Sequence, residues 1–534
     1  MLFHYPAGDE LETTLQKIVD GDIMEAKNLF TNLNKYKNHY DYIENFLLNH
    51  PDNKYCLHFL ALMYYRSKGV EKNHINAFLF CKQSVQLGYN VAIILLGDMY
   101  YYIKKKYQKA IKFYQQAIEL GSNNAIINLA NLYLNGIGDI QKALELYQEA
   151  IDAGNIKARI YLANIYYNGK GVQQNVEKAL ELYQEAAQLN ESTAMVKLGY
   201  LYYRGRGVKQ NYSQTITYYQ KAIELQNSEA MVNLGNMYLF GQGVSQHYQK
   251  AIDYYQQAII LNNSKALVNL GYMCLYGKGT EQDYSKAIEH FQQAIELDNS
   301  EAMVYLAIYN YELGTENSYR EAIRLYKKAI KLKNRDAMIY LGKMYQDGQG
   351  VPLNYLKAFK YYLQAKKCGS ISVLNNIADL YQEGLGVIQN YSKAITYYQK
   401  AIKIGNIEAM INLAKMYQYG IGLDQNQEEA IKYYKQAIKL KSNEAMIKLG
   451  TLYKDQGNKF KSLKYYLKAG TLGESYLLQI NKSDFIDYYQ YMAKKNELLK
   501  TENIKNKKYI NKLLYFPGGE GYFEAKSEFI SLLN

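Results

Sequence analysis

Asn128, Tyr161, Lys197, Asn233, Asn269, Tyr305, Tyr340, Asn376 and Asn412 recur at intervals of 33–36 residues, and Asn131, Asn164 and Asn236 each stand three residues behind a member of that row. Carboxamides donate and accept hydrogen bonds together, so a row of them could grip an extended peptide backbone without reading its side chains. Tyrosines add contact area at little entropic cost. Asn is abundant throughout the chain, however, and an ordinary solvated helix face has the same composition. Both readings stay open on sequence alone.

Other residue types invite other chemistry and fit it less well. His39, His50, His58 and His74 lie near Cys56 and Cys81, but a zinc site needs four convergent ligands and Cys56-x-His58 is not a usual ligand spacing. The Gly169-Lys170-Gly171 and Gly277-Lys278-Gly279 turns suggest a phosphate loop, yet no G-x4-G-K-[ST] exists and both turns join helix to helix, whereas a phosphate loop follows a strand. No paired carboxylates, nucleophile elbow or Cys/His arrangement stands out. The expectation is therefore no catalysis, no metal and no cofactor. The four cysteines (Cys56, Cys81, Cys274, Cys368) show no paired spacing, which suits buried thiols in a reducing compartment.

What positions the row is a repeat. AMVNLGNMYLFGQGV starts at Ala230, and ALVNLGYMCLYGKGT starts at Ala266. Equivalent units begin at Cys56, Ala92, Ala125, Ala158, Ala194, Ala230, Ala266, Ala302, Ala337, Val373, Ala409 and Ala445. In the 230 unit, Ala230, Leu234, Met237 and Tyr238 form the stripe of an amphipathic helix A. Gly241 stops it, a GQGV turn follows, and Ala251, Tyr254, Tyr255, Ala258 and Leu261 form the stripe of helix B before Asn262 and Asn263. A Gly or Ala stands five residues after every start, and helix B carries an aromatic residue (Tyr114, Tyr147, Tyr183, Tyr219, Tyr255, Phe291 and on to Tyr466) between small neighbours. Large ring against small residue is knob and hole, and one pair alone cannot bury both its faces, so the pairs must stack. Offsets 3 and 6 of helix A, the row above, remain on its uncovered face.

The motif A-x3-L-G-x2-Y-x2-G-x-G-V followed by Y-x-K-A-I-x-Y-Y-x-x-A resembles the Sel-1-like repeat, a branch of the tetratricopeptide-type solenoids. Tetratricopeptide repeats proper keep a 34-residue period and lack the G-x-G-V insertion. This sequence departs from the family in placing Tyr where helix B often carries Trp. The loops of the 92 and 125 units (YIKKKY, NGIGDI) are shortened, and the 302 unit (LGTENSY) lacks the double glycine; these are expected to change the local twist. The resemblance implies an all-α fold, an α/α superhelical solenoid of about twelve helix–turn–helix repeats with helical caps. It also implies a non-catalytic scaffold or adaptor that binds protein or peptide partners along a concave groove lined by the row.

Residues 1–54 read as an N-terminal helical cap, with helices around LETTLQKIV, IMEAKNLFTNL and YDYIENFLLN. Residues 55–470 are the array, and 471–534 a C-terminal helical cap. Seven Lys against two Glu between 494 and 512 leave a docking tail for an acidic surface or RNA as the alternative to plain capping. The net charge of +13 over 534 residues keeps nucleic-acid binding by a helical-repeat code as the second reading. Against it, the repeated Lys250, Lys286, Lys357 and Lys393 belong to helix B, and the groove holds little Arg. MLFHYPAGDELETTL has no basic region before an apolar core, and no apolar run approaches the ~18 residues of a membrane span. A soluble, intracellular and cytoplasmic protein is expected.

Overall fold

The computed structural model describes residues 9–31 and 33–469. Among them every regular element is a helix, so the all-α fold of stacked helical pairs is as the repeat implies. The chain forms two compact units, Met1–Leu270 with Lys278–Thr280, and Gly271–Gly277 with Glu281–Asn534. Within each, helix A packs on helix B of its own pair, and helix B on helix A of the next pair.

The first unit opens with helices Asp9–Val19, Ile23–Thr31 and Tyr40–Leu48, the last two joined through a 3-10 segment Leu33–His39. Leu15, Ile18, Leu29, Ile43 and Leu47 from these elements share one core with Phe59, Leu60 and Met63 of the first repeat helix, Lys54–Arg66. The segment 471–534 and its basic stretch lie outside the described residues.

One pair shows why the sequence folds this way. Helix A of the 230 unit spans Ser228–Phe240, and Asn227 caps it by accepting from the Glu229 and Ala230 amides. Gly241 closes it in the left-handed region at φ 65°. Helix B spans Tyr248–Ile260, and His247 caps it through Nδ1. Asn262 then takes φ 57°, a conformation Asn tolerates better than most residues. Asn263 caps the next helix while its amide nitrogen donates to Ser228 Oγ of the preceding one, at 3.0 Å. Asn227 to Ser192 and Asn334 to Ser300 repeat that staple. Much of the asparagine in the chain is therefore capping chemistry.

Packing rests on two close approaches. The small residue at offset 5 meets the helix B ring of its own pair: a Cβ on Gly235 would lie 2.7 Å from Tyr255, and one on Gly97 2.6 Å from Tyr114. The rings are fully buried. The second glycine of the G-x-G turn, which reads from sequence as turn chemistry, meets the previous pair. A Cβ on Gly243 would collide with the Tyr212 ring, and one on Gly207 with Val176. In the second unit Gly422 holds the same relation to Tyr391.

The three irregular turns keep the pairing. In the 125 unit the chain widens to a π-turn, Tyr133–Ile137, before Gly138. In the 302 unit Thr315 and Ser318 form a capping box and helix B lengthens to Glu316–Lys331.

Two outcomes test this packing. Ala258, fully buried in helix B, has no room for added methylenes, and Ala258→Leu is expected to lower stability by ~1–3 kcal/mol in chemical denaturation followed by circular dichroism. Gly154 (φ 81°) has nothing near its would-be Cβ, whereas Gly243 (φ 73°) has Tyr212. Gly154→Ala should cost only the left-handed backbone term of ~1–2 kcal/mol, and Gly243→Ala distinctly more; equal costs would remove the inter-pair contact.

Candidate functional site

Offsets 3, 6 and 10 of helix A fall on one face, because residues three and four apart are neighbours on a helix. Most of the sequence-derived row turns out to be half-buried there, with Tyr161 (42% exposed) and Tyr340 (39%) the more open members.

The cause is the helix B ring. In the first unit, the Tyr147 hydroxyl donates to Asn131 Oδ1 at 2.7 Å, Tyr183 to Asn164 Oδ1 at 2.6 Å and Tyr255 to Asn236 Oδ1 at 2.6 Å. Burial pushes all three phenols well above the usual tyrosine range, so they remain hydroxyl donors. The offset 3 residue of the following pair then completes the joint. Asn269 Nδ2 donates to Asn236 Oδ1 at 2.9 Å, and Asn128 Nδ2 to Asp98 Oδ1 at 3.2 Å, where Tyr114 also donates at 2.7 Å. In the second unit Asn412 Nδ2 reaches Asp379 Oδ1 at 3.0 Å beside the Tyr398 hydroxyl at 2.6 Å. The Tyr362 hydroxyl donates instead to Gln346 Oε1 at 2.7 Å.

Where offset 3 is Tyr, a ring replaces the amide. Tyr161 stacks on Tyr147 with centroids 6.1 Å apart, Tyr305 on Phe291 at 5.3 Å and Tyr340 on Tyr326 at 5.8 Å. The Asn233 and Lys197 side chains make no hydrogen bond within the described residues. The inner atoms of the row thus join neighbouring pairs, and its outer atoms and ring faces are left partly open to solvent.

Offset 10 extends the face and is not in the sequence-derived row. It carries Tyr102 (53% exposed) and Phe240 (56%) in the first unit, and Tyr276 (54%) and Tyr419 (63%) in the second. The signal was present, since offset 10 is one helical turn beyond offset 6. Charge differs between the units. The first carries Arg66, Lys197 and Arg204 with Asp98 on these offsets, whereas the second carries Glu312, Asp347, Asp379, Glu383 and Asp455 against Lys343, Lys415 and Lys448.

The repeated lysines of helix B have local partners. Lys250, Lys357 and Lys393 lie 5.0–5.2 Å from the ring centroids of Tyr238, Tyr345 and Tyr381. Each of those rings stacks on a helix B tyrosine: Tyr254, Tyr361 or Tyr397. Lys286 pairs with Asp283 at 3.5 Å.

The histidines and cysteines near the start do not form one centre. His50 Nδ1 lies 2.8 Å from the Phe46 carbonyl, and His58 packs edge-on to Tyr89, its pKa lowered to about 4 by burial. Cys81 Sγ donates to the Ala92 carbonyl at 3.3 Å. Burial raises the Cys56 thiol to about 11 and the Cys81 thiol to about 12, so both remain unreactive thiols. Among the described residues no group of three His, Cys, Asp or Glu side chains could hold a metal ion, and no helix is long and apolar enough to cross a membrane.

This geometry can be set beside known proteins. No curated protein matches the chain. Among solved structures it is similar to a protective antigen of uropathogenic Escherichia coli with an SLR fold, at 23% identity and TM-score 0.42, covering 83% of this chain and 97% of that one. It is also similar to a Sel1 repeat protein from Oxalobacter formigenes, at 26% identity and TM-score 0.33, covering 53% and 99%. It is similar as well to yeast Tom70, at 18% identity and TM-score 0.34, covering 79% and 99%. The Sel1 repeat model matches twelve times, at 54–89, 89–122, 123–155, 156–191, 192–227, 228–263, 264–299, 300–334, 335–370, 372–406, 407–442 and 443–474. Twelve matches in succession, together spanning well over half of the chain, make it a member of the Sel1 repeat family.

Proposed function

We propose that this protein is a non-catalytic scaffold that holds protein or extended-peptide partners on the helix A face of its array. Sel1 arrays are in general non-catalytic folds that bind protein partners. The observation that carries the reading here is the recurrence of exposed rings, Tyr102, Tyr161, Phe240, Tyr276, Tyr340 and Tyr419, beside half-buried amides on one helical face of successive pairs. Tyr102, Tyr161 and Phe240 present apolar area held in place by a rigid helix. Buried aromatic anchors carry much of the energy in protein interfaces, and rings cost little entropy to immobilise. The amides beside them are already oriented by the Tyr hydroxyls, so a partner's backbone would meet preset donors and acceptors.

The N-terminal segment enters the same proposal as a cap, since its described helices share a core with the first repeat helix; residues 471–534 lie outside the described residues. Soluble cytoplasmic residence belongs to the proposal too.

Asn269 is a poor residue for testing the reading, because its amide holds Asn236 and its loss should cost about 1 kcal/mol of stability. Asn233, Tyr161 and Tyr340 are better choices. The combined Asn233→Ala, Tyr161→Ala and Tyr340→Ala variant should keep its helical content by circular dichroism. It should capture less partner protein from nuclease-treated source-cell lysate, measured by quantitative mass spectrometry. Capture unchanged by the three substitutions would sink the proposal, and capture abolished by nuclease in the wild type would transfer it to nucleic acid.

A further inference from the structure

The repeats serve as controls for one another, and two units depart from the rest at offset 2 of helix A, the 56 unit with His58 and the 373 unit with Asn375. Offset 2 of helix A is Ile or Val in ten units: Ile94, Ile127, Ile160, Val196, Val232, Val268, Val304, Ile339, Ile411 and Ile447. In the 373 unit it is Asn375, which is 4% exposed. Its Nδ2 donates to Asp379 Oδ2 at 3.0 Å and to Glu408 Oε2 at 3.4 Å. Its Oδ1 is buried and meets no donor. An unmet buried acceptor costs free energy, and replacing it by the apolar residue of the sister units would remove that cost.

The surroundings lack the same thing. Asp379 sits where Asn131, Asn164 and Asn236, and in the 92 unit Asp98, sit in other pairs, and the charged groups acting on it, Glu408 and Glu383, are both acids. The Gln382 amide nitrogen is turned to Glu383 at 2.7 Å, leaving its oxygen to the Tyr398 hydroxyl at 3.0 Å. Lys415, at the equivalent offset of the next pair, is directed to Glu444 at 3.9 Å. Glu383 and Glu408 are exposed, so the notch opens to solvent on the helix A face. It is rich in acceptors and short of donors. A guanidinium offers five donors, no acceptor and weaker hydration than an ammonium.

We propose that Asn375, Asp379, Glu383 and Glu408 form a notch that takes the guanidinium of an arginine side chain on an extended peptide partner. This rests on the helix A face being the partner surface, and it gives that partner a chemical class: a peptide bearing arginine. A metal ion is the poorer occupant, since no three acids among the described residues converge closely enough to hold one. Titration offers an independent readout. Burial, with Glu408 and Glu383 adding to it and the Tyr398 and Asn412 hydrogen bonds opposing it, raises the Asp379 carboxyl to about 6. From the preceding pair, Asp347 and Tyr362 share the same field. The guanidinium binds the ionised form, so affinity rises as pH increases through 6. The unliganded fold has the opposite preference: its carboxyl holds a proton more tightly than the unfolded chain does, so acidification from pH 7 toward 4 favours the fold at this site.

The test is fluorescence anisotropy on the full chain at low salt, with a labelled Gly/Ser decapeptide carrying three arginines and its counterpart carrying neutral citrulline. The arginine peptide should bind at least tenfold tighter than the citrulline peptide at pH 7.5, and the difference should vanish at pH 5. Asp379→Asn and Asn375→Val, which install residues that sister pairs already use, should abolish the difference, while Asp379→Asn raises the denaturation midpoint at pH 7. Equal binding of the two peptides, or variants that keep the difference, would overturn the proposal. So would L-argininamide binding as tightly as the peptide, because the extended peptide would then contribute nothing to recognition. If discrimination is absent while the three-residue face variant still loses its partner, the notch falls and the scaffold reading stands; if that variant also keeps its partner, both fall.

Discussion

The structure depends on a ring pressed against a residue with no room for a side chain. From the second pair onward helix B drives Tyr or Phe into helix A at offset 5, where Gly or Ala is small enough to admit the ring; Tyr255 on Gly235 and Phe291 on Gly271 are examples. The contact sets how near the two helices come and fixes the rotation of helix A, because offset 5 must point inward. Once it does, offsets 3, 6 and 10 must point the other way. The candidate binding face is the geometric consequence of the packing contact.

A tyrosine in that role brings a second constraint. Its hydroxyl arrives at the rim of the core and needs an acceptor. The array supplies one at offset 6 (Asn131, Asn164, Asn236, Asp379) or one turn later at offset 9, as with Gln346 for Tyr362 and Gln418 for Tyr434. The next pair adds an amide or a ring at offset 3. The 266 unit supports this reading from the other side. Its helix B carries Phe291, which has no hydroxyl, and around it stand Tyr272 and a stacked Tyr305 with no amide acceptor. Asparagine and tyrosine on this face are therefore chosen first by the joint between pairs, and any partner reads what the joint leaves outside.

Period and helix phase made much of this legible before any coordinates. The unit starts, the small residue at offset 5, the buried ring and the face of offsets 3 and 6 all follow from spacing within one unit. What spacing could not supply was the relation of one unit to the next. Gly243 reads as a turn residue until Tyr212 of the previous pair is placed beside it. Asn269 reads as surface until Asn236 is found 2.9 Å away. Both depend on how far each pair is offset from its neighbour, a quantity that no residue of a single unit encodes. The omission of offset 10 has a different origin, since Phe240 and Tyr276 lie on the same helical phase and were legible.

A repeating chain also changes what an unfavourable residue means. In a single-core domain a buried amide with an unmet oxygen, at ~1–3 kcal/mol, consumes much of a margin of roughly 5–15 kcal/mol. In a stack, stability is close to a sum of terms within pairs and between neighbours, so the cost stays at one junction while sound joints flank it. Ten sister positions show that Ile or Val serves the fold at offset 2. Asn375 therefore stands where packing alone would have selected against it, and the acid next to it, Asp379, replaces an amide that meets the same hydrogen bonds without a charge. Other pairs carry one such departure alone, His58 at offset 2 of the 56 unit or Asp98 at offset 6 of the 92 unit; the 373 pair brings both into contact, and that combination locates a demand the other described pairs do not share.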